Sequence, residues 1–210
     1  MKADYTDITL VVDRSGSMET MQADAEGGIN TFISEQAQKP GECLVTLVQF
    51  DSEYEMLWRG VKAAECPRYK LVPRGSTALL DAVGRTINDT GARLAALPEA
   101  ERPGLVIFVI STDGMENASK TFNRQQVREM IAHQQKVYSW QFTFLAANAE
   151  AFDEAMDMGL DSSSVAQYGH GKYLDSSKAL SSKISRMRQM RMNEEEVDNS
   201  FTEEERKAME

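Results

Sequence analysis

Apolar residues fall into two rhythms along the chain. Residues 8–12, Ile-Thr-Leu-Val-Val, form one nearly unbroken apolar run, and residues 105–110, Leu-Val-Ile-Phe-Val-Ile, form another. Runs of this kind predict strands buried on both faces. Met18, Met21, Ala25, Ile29, Phe32 and Ile33 instead recur at helical spacing. They predict a helix that begins near Glu19, an acid suited to the positive end of the helix dipole, and stops at Pro40-Gly41. Residues 43–50 and 54–61 read as two strands joined at Asp51-Ser52-Glu53, a hairpin that makes the second strand antiparallel and places it at a sheet edge. Asp51 is expected as a turn acid. Leu80, Val83, Ile87, Leu94 and Leu97 mark a long helix, weakened by Gly84 and Gly91. A helix around Val127, Met130 and Ile131 follows, then a strand over 137–146, a short helix ending at Gly159, and a short strand over 165–168. Leu180, Ile184 and Met187 mark one face of a last helix over about 174–192. Strands alternating with helices predict a doubly wound α/β fold: a mostly parallel sheet covered on both faces.

Both buried runs stop at polar clusters. The first leads into Asp13-Arg14-Ser15-Gly16-Ser17-Met18, the second into Ser111-Thr112-Asp113-Gly114. Ligands of open α/β sheets sit at the carboxyl ends of strands. Asp13, Ser15 and Ser17 offer oxygen there, and Asp113 reaches the same edge if the two strands are neighbours. Thr77, in Gly75-Ser76-Thr77-Ala78-Leu79, can approach from an adjacent loop. Oxygen ligands of mixed charge suit a hard divalent cation such as Mg2+. Each residue alone also has a plainer role: Asp13 and Ser17 as helix caps, Asp113 as a turn acid beside Gly114. Glu116 and Asn117 stand at the rim, and Arg14 faces either a partner carboxylate or solvent.

Taken in order, Asp13, Ser15, Ser17, Thr77 and Asp113 resemble the metal-ion-dependent adhesion site of the von Willebrand factor A domain without departure. The resemblance covers residues 4–190, and its short phrases look like the intracellular bacterial or phage-type members. It implies a six-stranded, mostly parallel sheet with one antiparallel edge strand. It further implies that Ser15, Ser17 and Thr77 ligate Mg2+ (or Mn2+ or Ca2+) directly, while Asp13 and Asp113 act through waters and by orienting the hydroxyls. A position on the metal then stays open for an Asp or Glu of a protein partner. Members of this kind work beside AAA+ ATPases or in multiprotein assemblies. The expected function is metal-dependent protein binding, not catalysis. The alternative is a metal-dependent phosphatase-like hydrolase using Asp13, although that chemistry commonly places a second acid where Ser15 stands. A third possibility is a structural role with a vestigial site.

Charge and cysteine content narrow this further. The net charge of −10 disfavours nucleic-acid binding. No run approaches the ~20 apolar residues of a membrane span, and the first seven residues carry no apolar signal segment, so a cytoplasmic location is expected. Cys43 and Cys66 are expected as free thiols. His133 and His170 lie in no motif. Gly169-His170-Gly171-Lys172-Tyr173 lacks the spacing of a phosphate loop. The chain divides into a domain over 1–192 and an acidic tail over 193–210. That tail either runs free into solvent or folds back on the basic last helix, where it could serve as a docking segment.

Overall fold

β1 (Lys2–Asp13) lies at the centre of the sheet, and its position decides where everything else goes. The computed structural model describes residues 1–169 and 171–210, so His170 lies outside the described residues. The other strands are β2 (Glu42–Phe50), β3 (Tyr54–Lys62), β4 (Pro103–Thr112), β5 (Gln141–Ala146) and β6 (Val165–Gln167). Among the described residues these six strands form one sheet in the order β3-β2-β1-β4-β5-β6. All pairings are parallel except that of β3 with β2, as the hairpin pattern predicts. The chain winds outward from β1 to β2 on one side and then returns to place β4 on the other. The carboxyl ends of β1 and β4 therefore flank the topological switch point, where such sheets open a crevice.

Helices α1 (Gln22–Ala37) and α5 (Tyr173–Met192) cover one face of the sheet; α2 (Leu79–Ala95), α3 (Arg124–Tyr138) and α4 (Ala149–Asp157) cover the other. Alternation along the strands feeds two cores. Ile8, Leu10 and Val12 pack with Phe32, Ile184 and Met187, while Val11, Phe108 and Phe142 pack with Val83, Ile87 and Ile131. Gly84, a weak helix former, is explained by close approach: a Cβ there would lie 2.7 Å from the Phe122 ring. Among the described residues, no helix is long and apolar enough to cross a membrane. Cys43 and Cys66 are free thiols.

Three boundaries differ from expectation. β1 begins six residues before Ile8, because Asp7 is fully buried and accepts two hydrogen bonds from Arg93, both at 2.8 Å. A charge that looks like the end of a strand is neutralised from α2. Gly16–Met21 forms a 3-10 turn, so α1 starts at Gln22 and not near Glu19. Val137 and Tyr138 close α3 instead of opening β5, because the chain turns through a left-handed Ser139 (φ 56°) before Trp140. Their β-forming character is spent on an exposed helix end.

Residues 193–210 return along α5 instead of running free. Phe201 and Met209 are buried in the α1/α5 core, and α6 (Glu203–Lys207) is closed by a capping box from Thr202. Arg186 donates to the carbonyls of Asp198 and Ser200 and pairs with Glu205. Lys183 does not face solvent. Its amine donates to Thr143 Oγ1 at 2.9 Å and stands 3.8 Å from the centre of the Phe201 ring, and burial holds its pKa well below the ordinary lysine value. Phe201→Ala is expected to cost about 3 kcal/mol in urea unfolding. An unchanged midpoint would show that the segment contributes nothing to the fold.

Candidate metal centre

The parallel register of β1 and β4 pairs Val12 with Ser111, which sets Asp13 beside Thr112. Thr112 O–H donates to Asp13 Oδ2 across the two strands, and the Ser15 N–H donates to Asp13 Oδ1 at 2.6 Å. Both oxygens of Asp13 are thereby held inside the protein. Ser15 Oγ and Ser17 Oγ share a hydrogen bond at 3.0 Å, and Ser17 O–H donates to Asp113 Oδ1 at 2.8 Å. Four of the five residues predicted from the sequence thus form one continuous chain of contacts. Thr77 enters from the loop before α2. A Cβ placed on Gly114 would lie 3.4 Å from Thr77 Oγ1 and 4.0 Å from Ser17 Oγ, so both hydroxyls border the same small space.

Neighbouring loops hold Thr77 from behind. Its N–H donates to Asn117 Oδ1 at 2.9 Å, and its carbonyl accepts from the N–H groups of Asn117 and Ala118. Glu116 accepts from the N–H of Leu80, Ala118 and Ser119 and so caps the start of α2. Glu116 is half-buried and Asn117 exposed, and besides bordering the site both brace the Thr77 loop through its backbone. Asn148 fixes the other side by donating to the Asp113 carbonyl.

Arg14 is the clearest correction. It faces neither solvent nor a partner: it is 5% exposed, with Nε donating to Asp51 Oδ2 at 2.9 Å and Nη1 to Glu55 at 2.7 Å. Asp51 is a turn acid, as expected, but it also takes Arg74 Nε on the same oxygen at 2.8 Å. The sequence reading missed Thr112, Asn148 and this arginine pair. Thr112 carried a signal, a hydroxyl next to Asp113, but its role needs the strand register.

Burial pushes the Asp13 carboxyl up to about 6, although Thr112 and the Ser15 N–H favour its charged form. Burial also raises Asp113, against a hydrogen bond from Ser17. The hydrogen-bond partners of the two carboxyls are hydroxyl and backbone N–H groups. The constellation is three hydroxyls and two acids, a donor set that fits a hard divalent ion. Among the described residues, no cluster of three or more His, Cys, Asp or Glu offers another ligand set.

No protein-family model matches the chain, and no curated protein matches it. Solved structures do. The chain is similar to the von Willebrand factor type A protein from Catenulispora acidiphila, with a TM-score of 0.61 and 13% identity, covering 86% of this chain and 43% of that one. It is similar to proximal thread matrix protein 1 of the mussel byssus, with a TM-score of 0.60 and 14% identity, covering 86% of this chain and 45% of that one. That matrix protein has also been solved with a zinc-occupied MIDAS motif. The manganese-loaded TRAP protein of Plasmodium vivax has a TM-score of 0.56 and 14% identity, covering 83% of this chain and 72% of that one. The fold is that of a von Willebrand factor type A domain. The chain spans less than half the length of the first two proteins, and the likeness at these identities is one of architecture.

Around Asp51, burial opposes charge, but hydrogen bonds from Arg74 and the Glu53 N–H, with the Arg14 and Arg74 charges, outweigh it and hold the carboxyl below its ordinary value. A carboxyl lowered in this way adds stability that is complete above its unfolded value, about 3.9. That stability is lost as pH falls through the lower folded value. Asp51→Asn is therefore expected to cost about 3 kcal/mol at neutral pH, and its gap to the wild type should narrow below about pH 4. Urea unfolding across that range reads the gap; one that stays constant into acid would contradict the assignment.

Proposed function

We propose that this chain is a metal-dependent protein-interaction module in which Ser15, Ser17 and Thr77 ligate Mg2+, or Mn2+ or Ca2+ in its place. The observation that carries it is the meeting of the Ser15, Ser17 and Thr77 hydroxyls with the Asp13 and Asp113 carboxyls at one edge of the sheet. Neutral hydroxyls hold a cation without quenching its charge, whereas a ring of carboxylates would. When bound, the ion supplies a Lewis-acid position for a carboxylate from outside. Asp13 and Asp113 orient the hydroxyls and their waters, and Thr112 and the Ser15 N–H keep Asp13 in place for that task. The partner is proposed to be a protein offering Asp or Glu, such as an AAA+ ATPase or another component of a cytoplasmic assembly. The neighbours solved with a zinc-occupied MIDAS motif and in a manganese-loaded state support a divalent ion.

The hydrolase alternative gains no support. Asp13 is held by one hydrogen bond on each oxygen, and the position two residues on is Ser15 where such hydrolases commonly place a second acid.

Saturating Mg2+ or Mn2+ is expected to raise the melting temperature. At a hundredfold excess over the dissociation constant the ion adds about 2.7 kcal/mol, roughly 5–10 °C for a chain of this length. Asp13→Ala and Ser17→Ala should abolish the rise. Wild-type protein that melts identically in metal and in chelator would sink the proposal. Metal-dependent turnover of a phosphate ester, lost in Asp13→Ala, would favour the hydrolase instead.

A further inference from the structure

We propose that Asp51 is a positioning residue for this centre: its carboxylate, held by Arg14 and Arg74, keeps the loop carrying Ser15 and Ser17 and the loop carrying Thr77 at the separation one cation needs. This inference rests on the metal-binding reading above and adds a part of the molecule outside the five ligand positions.

The two loops meet through a short ladder. Arg74 N–H donates to the Arg14 carbonyl at 2.8 Å, and Gly16 N–H donates to the Gly75 carbonyl at 3.1 Å. Asp51 locks that ladder from the β2–β3 turn. Its Oδ2 accepts Arg14 Nε at 2.9 Å and Arg74 Nε at 2.8 Å, so one oxygen joins the residue just after Asp13 to the residue three before Thr77. Its own carbonyl accepts the Ala78 N–H at 2.9 Å, on the other side of Thr77. Asp51 thus grips the Thr77 loop at both ends. The approach is so close that position 75 takes only glycine: φ is +70°, and a Cβ would lie 3.2 Å from Asp51 Cβ.

The hairpin itself does not need this arrangement. The turn uses Asp51 Oδ1, which accepts the Glu53 N–H at 2.6 Å, and the Asp51 N–H, which donates to the Glu53 carbonyl at 3.0 Å. Oδ2 is left over by the turn and is the atom that both arginines use. Burying a guanidinium inside a loop is costly unless it is paired and hydrogen-bonded. Arg14 is buried; its Nε and Nη1 pair with Asp51 and Glu55 of the β2–β3 hairpin, and its Nη2 has no hydrogen-bond partner among the described residues. The pair serves loop geometry. Asp51 touches no ligand hydroxyl and acts only through backbone placement.

Asp51→Asn separates these roles. Asparagine keeps an oxygen for the Glu53 N–H but turns an N–H2 toward two Nε–H donors. Asp7→Asn is the control, because it breaks a comparably buried pair with Arg93 midway along β1, six residues before Asp13. Mn2+ affinity would be measured by calorimetry, and amide exchange of residues 74–78 by mass spectrometry in metal-free protein. Asp51→Asn should weaken Mn2+ binding by about tenfold or more and speed exchange in that segment. Asp7→Asn should lower the melting temperature while leaving both unchanged. The half-exposed Arg74→Ala, which is tolerated at the surface, should show the same pattern in milder form and covers the case in which Asp51→Asn does not fold. Equal Mn2+ affinity in Asp51→Asn and wild type, or an equal loss in Asp7→Asn, would overturn the proposal. Wild-type protein that binds no Mn2+ refutes the metal reading alone. The loop-holding role then stands if exchange rises selectively in Asp51→Asn and falls if it does not.

Discussion

The parallel pairing of β1 with β4 is the constraint on which the rest of the molecule depends. It brings two chain segments a hundred residues apart to one edge and puts a hydroxyl of one strand against the terminal acid of the other. Buried on both faces, neither strand can slip by a residue without moving its whole apolar set to the wrong core. The position of Asp13 relative to Asp113 is therefore fixed by the hydrophobic packing of Ile8, Leu10, Val12 and Val109 on one face and Val11, Phe108 and Ile110 on the other. The chemistry at the edge inherits its precision from the sheet.

Around that edge the protein spends its buried polar groups on loops. Thr77 is reached from three directions, by Asn117, by Ala118 and, through Ala78, by Asp51. Asp113 is held by Ser17 at its side chain and by Asn148 at its carbonyl. Loops normally carry the mobility of a domain; these are tied by charge-assisted and backbone hydrogen bonds, which suits the proposed site with its three neutral oxygens. The face of the sheet covered by α1 and α5 is handled differently. There the C-terminal segment closes over α5, with Phe201 against Lys183 and Met209 in the core, so the acidic end of the chain is part of the packing.

Much of this was legible in the sequence because it is written in local signals. Two apolar runs ending in acids marked the central strands, and the hairpin acid marked the antiparallel edge. That Asp13, Ser15, Ser17, Thr77 and Asp113 gather at one edge followed from oxygen chemistry at strand ends, joined by a family resemblance. What escaped depended on partners distant in sequence. Arg14 looks like a surface arginine until Asp51 and Glu55 are placed beside it, and Asp7 looks like a strand end until Arg93 arrives from α2. Nothing along the basic last helix marks Lys183 and Arg188 for burial; Arg188 donates to Gln36 and to the carbonyls of Pro40 and Gly41. The α3–β5 boundary was obscured because β-forming residues run on through a helix end. The shared cause is that a buried charge and its neutralising partner carry no common pattern along the chain.

The central claim is that three hydroxyls hold one hard cation at the β1/β4 edge. Anomalous diffraction from a crystal grown in manganese tests it most directly. The account predicts a single strong peak in contact with Ser15 Oγ, Ser17 Oγ and Thr77 Oγ1, at the roughly 2 Å expected of hard divalent ions with oxygen. Diffraction showing no peak there, with the two serine hydroxyls still bonded to each other, would contradict it.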